Sequence, residues 1–375
     1  MKNEYDIAII GGGLAGLATS IQLARLGYAV VLFEKDAYPS HKVCGEYISL
    51  ESRHFLTSLG LSIDDHFPII HTLQLTAPNG KQLTTKLPLG GFGISRYLLD
   101  STLANIAIES GVELLQKTKV DNVVFDKTFS IQFSGQTIQA KVCCAAYGKR
   151  SNLDVKWNRD FIQKKDDRLN NYVGIKYHVK TDWKEDVIGL HNFQNGYCGI
   201  SKVENETFCL CYLTTAENLR HNGNNIKQME RNVLFQNPHL KTIFTNSEFV
   251  QDFPVTISQI SFSKKSRVQN HLLMLGDAAG MITPLCGNGM SIALHTSKIA
   301  ARLIDNFLAG EIGREQMQTM YELQWQKEFA SRLRAGRILQ SFFGSKTLSN
   351  LLVRTFKTIP FLASPLIRLT HGKPF

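Results

Sequence analysis

Hydrophobic and polar positions alternate along this chain in blocks short enough to read as individual elements. Tyr5 to Ile10 is an Ile-rich apolar run ending on glycines, which predicts a buried strand. Leu14 to Leu26 carries apolar residues at helical spacing and stops at Gly27, a C-cap residue. Ala29 to Phe33 is apolar again and ends at Glu34. This order of strand, glycine turn, helix and strand predicts a parallel βαβ unit. Farther on, Ser95 stands at an N-cap position before a helix that runs to about Ser110 and stops at Gly111. Val112 to Ala145 reads as short strands between polar turns. Tyr172 to Leu213 alternates with period two, which predicts an antiparallel sheet. His221 to Asn225 is an Asn-rich stretch expected as an exposed loop before another helix. His271 to Leu275 reads as a buried strand, followed by a Gly-rich turn and a long helix from about Gly289 to Leu308. No internal repeat or low-complexity linker interrupts the pattern, so the domains are expected to interleave.

Composition narrows the class. With 375 residues, 43% hydrophobic and 20% charged, and a mean hydropathy of −0.12, the chain has ample material for a core. That excludes a disordered tail protein, a collagen-like chain and a disulfide mini-scaffold. No run of about 18 apolar residues predicts a membrane-spanning helix, and the charged start Met1-Lys2-Asn3-Glu4 lacks a signal-peptide layout. Seven cysteines without paired metal-ligand spacing fit reduced thiols in a cytoplasm, and no metal site is expected.

The net charge of +10 is local. Arg332, Arg334, Arg337, Lys346, Arg354, Lys357, Arg368 and Lys373 fall in the last 45 residues, which contain no Asp or Glu. The rest is close to neutral, so nucleic acid is set aside as a partner. As a helix, the tail puts Leu348, Leu351, Leu352, Phe356 and Ile359 on one face and Lys346, Arg354 and Lys357 on the other. Leu362, Leu366, Ile367 and Leu369 follow Pro360. Such a basic amphipathic segment suits an anionic membrane surface, with contact through 345–370; packing on its own domain or on a twin subunit is the alternative. Localisation is accordingly read as cytoplasmic, with the inner face of a membrane as the site of any peripheral contact.

Gly11-Gly12-Gly13-Leu14-Ala15-Gly16 fits G-x-G-x-x-G between a strand and a helix. Glycine is needed because the turn is tight, the backbone must approach a pyrophosphate, and helix and strand must pack closely. The phosphate then rests on free N–H groups at the helix start. Glu34, 18 residues after Gly16, ends the second strand, where an acid hydrogen-bonds a ribose 2′-hydroxyl. The acid argues against a 2′-phosphate, leaving FAD or NAD.

The sequence resembles the superfamily of FAD-dependent monooxygenases, geranylgeranyl reductases and flavin halogenases, which share the para-hydroxybenzoate hydroxylase type of fold. Besides the first turn, the marks are Lys42-Val43-Cys44-Gly45-Glu46, Ser95-Arg96 to Asp100, Gly148-Lys149-Arg150-Ser151, Gly196-Tyr197-Cys198-Gly199, and the block from Gly276-Asp277-Ala278 to Met290. The resemblance implies an α/β (α+β overall) fold: a Rossmann-like FAD-binding domain of the GR2 type, an interleaved antiparallel-sheet substrate domain and a C-terminal helical tail. The expected boundaries are 1–70, 90–165 and 265–330 for FAD, 71–89 and 166–264 for substrate, and 331–375 for the tail.

It further implies non-covalent FAD held by Gly11, Gly13, Leu14, Ala15, Gly16, Glu34 and Lys35, with Cys44, Gly45, Arg96, Gly148 and Gly276 nearby. Asp277 takes the ribityl chain, Arg96 lies near the pyrophosphate and ribityl region, and Pro284, Gly287, Asn288, Gly289 and Met290 line the ring edge. The helix from Gly289 would aim its N-terminus at the ring's N1–C2 side, favouring reduction. Cys44 and Glu46 are the candidate catalytic groups. Cys44 is alternatively a packing residue, and Glu46 alternatively a cap for the following helix. Phe193, Tyr197, Phe208, Tyr212 and Phe253 are expected to line the substrate pocket, or else to form sheet core.

Two departures bear on the chemistry. The W-x-W-x-I-P signature of halogenases is absent, and Tyr147-Gly148 replaces the Asp-Gly of aromatic hydroxylases. With no second strand-linked glycine motif, NAD(P)H is expected to donate electrons transiently. The sequence thus reads as an FAD-dependent oxidoreductase. The first expectation is a NAD(P)H-driven monooxygenase tailoring a hydrophobic polyketide, phenolic or isoprenoid-like molecule in secondary metabolism. The alternative is saturation of carbon–carbon double bonds in the manner of geranylgeranyl reductases. A reading from another class is a binding protein resembling the Rab GDP-dissociation inhibitors, which hold prenylated partners on this fold without flavin.

Overall fold

Buried apolar runs build the first of two sheets. In a computed structural model that describes residues 2–63, 67–163, 171–342, 345–358, 367–369 and 371–375, this sheet has eight strands. Its parallel centre runs Leu272–Met274, Gln136–Ala145, Glu4–Ile10, Val30–Phe33, Glu113–Leu115. Ile9 lies between Leu32 and Cys144 in register. Val30–Phe33 is buried throughout, as a parallel strand covered on both faces must be. The helices Leu14–Arg25, Arg96–Glu109 and Gly289–Leu308 pack together against it. Ser95 Oγ accepts from Leu98 N at 3.1 Å and caps the second of these, as its sequence predicts. Val120–Asp126 and Thr128–Phe133 extend the sheet as an antiparallel meander onto Gln136–Ala145.

The second sheet has nine strands, antiparallel except where Val187–Phe193 runs parallel to Ile69–Thr76. Tyr172–Lys180, Phe208–Thr215, Gly196–Lys202 and Val187–Phe193 lie side by side at its centre. Helices Ala216–His221, Ile226–Asn232 and Pro238–Asn246 lie along the chain after these strands, and Met229 and Leu240 from them join Val173, Ile175, Tyr177 and Leu210 in a second core on one face of the sheet. The opposite face looks towards the first sheet. Period two decides which residues go where: Val173, Ile175 and Tyr177 enter the helical core, whereas Gly174, Lys176 and His178 face the other way.

A polar knot lies in this second unit. His191 is fully buried, its Nδ1 is 2.9 Å from Thr76 Oγ1, and its ring stacks on His239. Burial first and His239 second depress its pKa from 6.5 to about 3. The unfolded chain takes up a proton near pH 6.5 that the folded one refuses. The stability tied to His191 is therefore complete above about 6.5 and is lost as the pH falls from there towards 3, by several kcal/mol in order of magnitude. Melting curves of wild type and His191→Gln across this range should diverge, with a shallower acid slope in the variant.

Among the described residues the basic tail includes two long helices. Arg314–Phe342 runs through residue 331 without a break, burying Tyr321, Trp325 and Phe329. Lys346–Thr358 follows and sets Val353 against Leu75 and Leu83 of the second sheet, while Leu348 and Leu351 are 39% and 58% exposed. The Leu352 side chain and residues 359–366 lie outside the described residues. Among the described residues no helix is long and apolar enough to cross a membrane.

Candidate functional site

Three neighbouring parallel strands end at one place. Ile10, Ala145 and Met274 are followed by Gly11, Gly148 and Gly276, all with positive φ, and a cavity of about 230 Å³ opens beyond them. The carboxyl ends of a parallel sheet are where such folds bind ligands.

One wall is the first glycine turn. Gly16 approaches Gly11 so closely that a Cβ there would lie 2.0 Å from the Gly11 carbonyl oxygen. Gly13 has no side chain to cap Leu14–Arg25, so the helix start is left for an anion, and Gly13, Leu14 and Ala15 line the cavity. Glu34 is buried; its Oε2 accepts from Gly12 N at 2.7 Å and its Oε1 from Asp36 N at 3.1 Å. A carboxylate has about four acceptor positions, so capacity for a ribose hydroxyl remains. Tyr38, which the motif does not reveal, donates its hydroxyl to the Gly12 carbonyl. Lys35 is exposed and does not line the cavity.

Arg96 is held by both guanidinium contacts to buried Asp100, each 2.7 Å, and its Nη2 would lie 3.8 Å from a Cβ on Gly13. Its charge is therefore fixed beside the anion seat, not spent on the surface.

The opposite wall is the Gly276–Ala278 turn, the Pro284–Cys286 turn and the start of Gly289–Leu308. Asp277, Pro284 and Gly287 line the cavity together with Asn288, Gly289 and Met290. Two buried cations, neither evident from the sequence, hold this wall. Lys265 Nζ donates to the carbonyls of Lys149 and Asp277, both at 2.8 Å, and burial lowers its pKa to about 8. Arg159 Nη2 donates to the Ala278 carbonyl at 3.1 Å, while Nη1 pairs with Asp154 at 2.8 Å. Together they tie the 147–161 segment to the turn that carries Asp277.

Comparison with known proteins agrees with this geometry. The family pattern described as FAD dependent oxidoreductase matches residues 6–44, and that described as squalene epoxidase matches 182–331. A digeranylgeranylglycerophospholipid reductase of Methanococcus vannielii is 24% identical over 361 residues, 88% of this chain and 84% of that one. The conditioned medium factor receptor 1 of Dictyostelium discoideum is also 24% identical, covering 88% and 68%. Among solved structures, a geranylgeranyl bacteriochlorophyll reductase-like protein from Thermoplasma acidophilum superimposes with a TM-score of 0.78 at 20% identity, covering 94% and 91%. The myxobacterial chondrochloren halogenase does so at 0.77 and 18%, covering 100% and 94%. The chain thus carries an FAD dependent oxidoreductase pattern over its first glycine turn and shares its fold with the reductase-like protein and the halogenase.

The residues present fit FAD. A Cβ added at Gly45 or Gly148 would meet nothing within 4 Å, so these glycines leave open the space a flat cofactor would occupy. The anion seat and Asp277 line one continuous cavity, and Glu34 is tied to the Gly12 N–H of the turn beside it. Gly11 and Gly16 shape the turn from behind.

The structure departs from the sequence reading on the substrate side. Tyr197 lines the cavity, and so does part of Tyr212, although the Tyr212 hydroxyl turns away to Glu230 at 2.8 Å. Phe193 and Phe208 point into the helical core, because alternation puts them on the far face. Phe253 is 83% exposed, in the loop after Glu248–Phe249. The wall is instead mostly aliphatic: Val43, Ile188, Leu190, Leu213, Ile260 and Met281.

Glu46 is not a cap for the helix that follows it. It is fully buried at a φ of 54°, its Oε1 accepts from Arg96 N at 2.8 Å and from Lys176 Nζ, and its Oε2 is 2.6 Å from His178 Nε2. The Cys209 thiol joins the cluster: an oxygen of Glu46, a ring nitrogen of His178 and Cys209 Sγ lie within 4.8 Å of one another. Lys176 and His178 oppose the desolvation that would otherwise raise the Glu46 pKa and hold it below the ordinary carboxylate value. Cys44 is half-buried at the cavity wall, and its carbonyl accepts from Cys209 Sγ at 3.2 Å.

Proposed function

We propose that this protein is an FAD-dependent oxidoreductase that saturates carbon–carbon double bonds in an isoprenoid-like chain, with NAD(P)H as the transient source of electrons. The observation that carries this reading is the aliphatic wall. Val43, Ile188, Leu190, Leu213, Ile260 and Met281 offer dispersion contacts to a flexible hydrocarbon, with few of the flat aromatic faces a phenolic ring would stack on. The names of relatives such as the Methanococcus vannielii reductase support the same substrate class.

Reduced FAD, when bound, supplies a hydride equivalent. The chain's own residues do the rest. The aliphatic wall binds and orients the alkene and excludes water. The anion seat at Gly13 to Ala15, Arg96 and Asp277 hold the cofactor, and the Glu46 cluster keeps an ionisable group at the wall. The exposed Leu348 and Leu351 beside Arg354 give the tail helix a face for the lipid surface from which such a chain enters.

Oxygen insertion into the same kind of alkene is the second reading, favoured by the squalene epoxidase pattern over 182–331. The test is anaerobic incubation of the FAD-loaded protein with reductant and a geranylgeranyl lipid in vesicles, followed by mass spectrometry. Gain of two hydrogens per double bond is expected. No anaerobic product, with one oxygen gained in air, overturns the reductase reading.

A further inference from the structure

Seven glycines stand in strands of the second sheet, and the protein itself explains six of them. A Cβ at Gly93 would lie 1.8 Å from the Lys202 carbonyl oxygen, at Gly196 2.3 Å from that of Leu213, and at Gly174 2.9 Å from the Val43 side chain. At Gly90, Gly91 and Gly189 it would meet a neighbouring atom at 2.9, 2.4 and 2.7 Å. Gly199 is the exception. Its φ is not positive, and an added Cβ would meet nothing closer than 3.7 Å. Glycine inside a strand is entropically costly and leaves the sheet nothing to pack, so it marks a place where another backbone or a ligand comes close. Among the described residues no backbone faces Gly199. The three nearest atoms, Leu190 Cδ2 and the Cys211 and Gly189 carbonyl oxygens, all belong to the two flanking strands.

Gly199 is also the centre of an open row across the sheet. Register sets Leu190 opposite it on one neighbouring strand and Cys211 opposite it on the other. It is the one residue of Gly196–Lys202 that is not buried, Leu190 and Cys211 are likewise partly open, and all three line the cavity. The rows on either side are filled. Tyr197 and Leu213 occupy one. The 44–46 segment roofs the other, where Ser201 Oγ donates to the Gly45 carbonyl at 3.2 Å and Cys209 and His178 meet Cys44 and Glu46. The open row is uncharged: burial lifts the Cys211 thiol to about 12, and Lys176, opposite Cys211, is held by Glu46.

We infer that Gly199 is a specificity-determining position, a notch that admits the methyl branches of an isoprenoid-like chain lying across the sheet between Leu190 and Cys211. The inference rests on the reading of the substrate as such a chain. A branch methyl takes the volume that a Cβ on residue 199 would fill, and the Leu190 side chain beside it supplies dispersion contacts. An unbranched chain gains nothing from the notch.

The experiment uses the full FAD-loaded chain with the flavin oxidised, so that binding is read without turnover. A geranylgeranyl lipid and an unbranched polyunsaturated lipid of equal chain length and headgroup are titrated in micelles into wild type, Gly199→Ala and Gly199→Val, and affinity is followed by tryptophan fluorescence and flavin absorption. The branched lipid should bind about ten-fold more weakly to Gly199→Ala and about a hundred-fold more weakly to Gly199→Val, the range that one or two methyl groups command in an apolar pocket. The unbranched lipid should change by less than about three-fold in Gly199→Ala. Adding Leu190→Ala to Gly199→Val should recover about ten-fold, because it reopens the space beside residue 199; a second truncation would not repair a damaged fold.

Equal weakening of both lipids overturns the notch, as does wild-type affinity in Gly199→Val or a wild type that does not bind the branched lipid. Should Gly199→Val fail to fold, Gly199→Ala carries the test, since its Cβ makes only ordinary contacts. Anaerobic turnover of the same samples with reductant separates the two claims. Branch-selective binding without alkene reduction overturns the reductase reading and supports the notch; reduction of both lipids with equal kcat/KM in all three proteins overturns the notch and leaves alkene reduction standing.

Discussion

Glu46→Ala should lower the unfolding free energy by about 3–5 kcal/mol, because it strands the Lys176 ammonium in a nearly dry site. Lys176 is 1% exposed and Glu46 is fully buried, so water cannot replace the lost carboxylate without opening the sheet. The same substitution leaves the Arg96 N–H and the His178 ring without their acceptor. The double variant Glu46→Ala/Lys176→Met should recover most of the loss, since removing both charges removes the desolvation cost along with the attraction. Urea unfolding of the two single variants and the double variant gives the cycle. A Glu46→Ala protein within about 1 kcal/mol of wild type would mean that the cluster is hydrated and open.

Gly11→Ala should abolish FAD retention. Gly11 has a φ of 106°, and a Cβ there would lie 2.6 Å from the carbonyl carbon and oxygen of Ala146 and from the Tyr147 Cα. These are backbone atoms of the neighbouring strand's exit, pinned by the pairing of Ile10 with Ala145, and they cannot step aside. Backbone strain and overpacking together should cost about 2–5 kcal/mol and displace the N–H groups at the helix start. Gly27→Ala is the control: its φ is 91°, but nothing lies within 4 Å of the added Cβ, so only the strain of about 1–2 kcal/mol applies and FAD should stay. Both outcomes can be read by FAD fluorescence titration and thermal melting. Normal FAD affinity in Gly11→Ala would place the cofactor elsewhere.

Much of this was legible because it is local. The run Tyr5 to Ile10, the glycine turn, the helix to Arg25 and the acid at Glu34 all follow from period and punctuation within 30 residues, and they stand as expected. So does the Ser95 cap. What escaped is what depends on contacts across the chain. Alternation in Tyr172–Lys180 separates Lys176 and His178 from Val173 and Ile175, yet it does not say what covers their face. The answer is Glu46, 130 residues before Lys176. Lys265 and Arg159 are hidden for the same reason, since their acceptors are carbonyls that no sequence pattern marks. The aromatics divide by strand parity: Tyr197 and Tyr212 reach the cavity, whereas Phe193 and Phe208 take the sheet-core alternative in the helical core.

FAD is expected to lie non-covalently in the cavity between the first glycine turn and the Gly276–Met290 wall. The most direct measurement is the visible absorption spectrum of the purified protein before and after unfolding, with Asp277→Ala alongside. Wild type should show flavin bands that pass into the supernatant as free FAD on unfolding, and Asp277→Ala should lack them. A colourless wild-type protein that stays colourless after incubation with FAD would contradict the account.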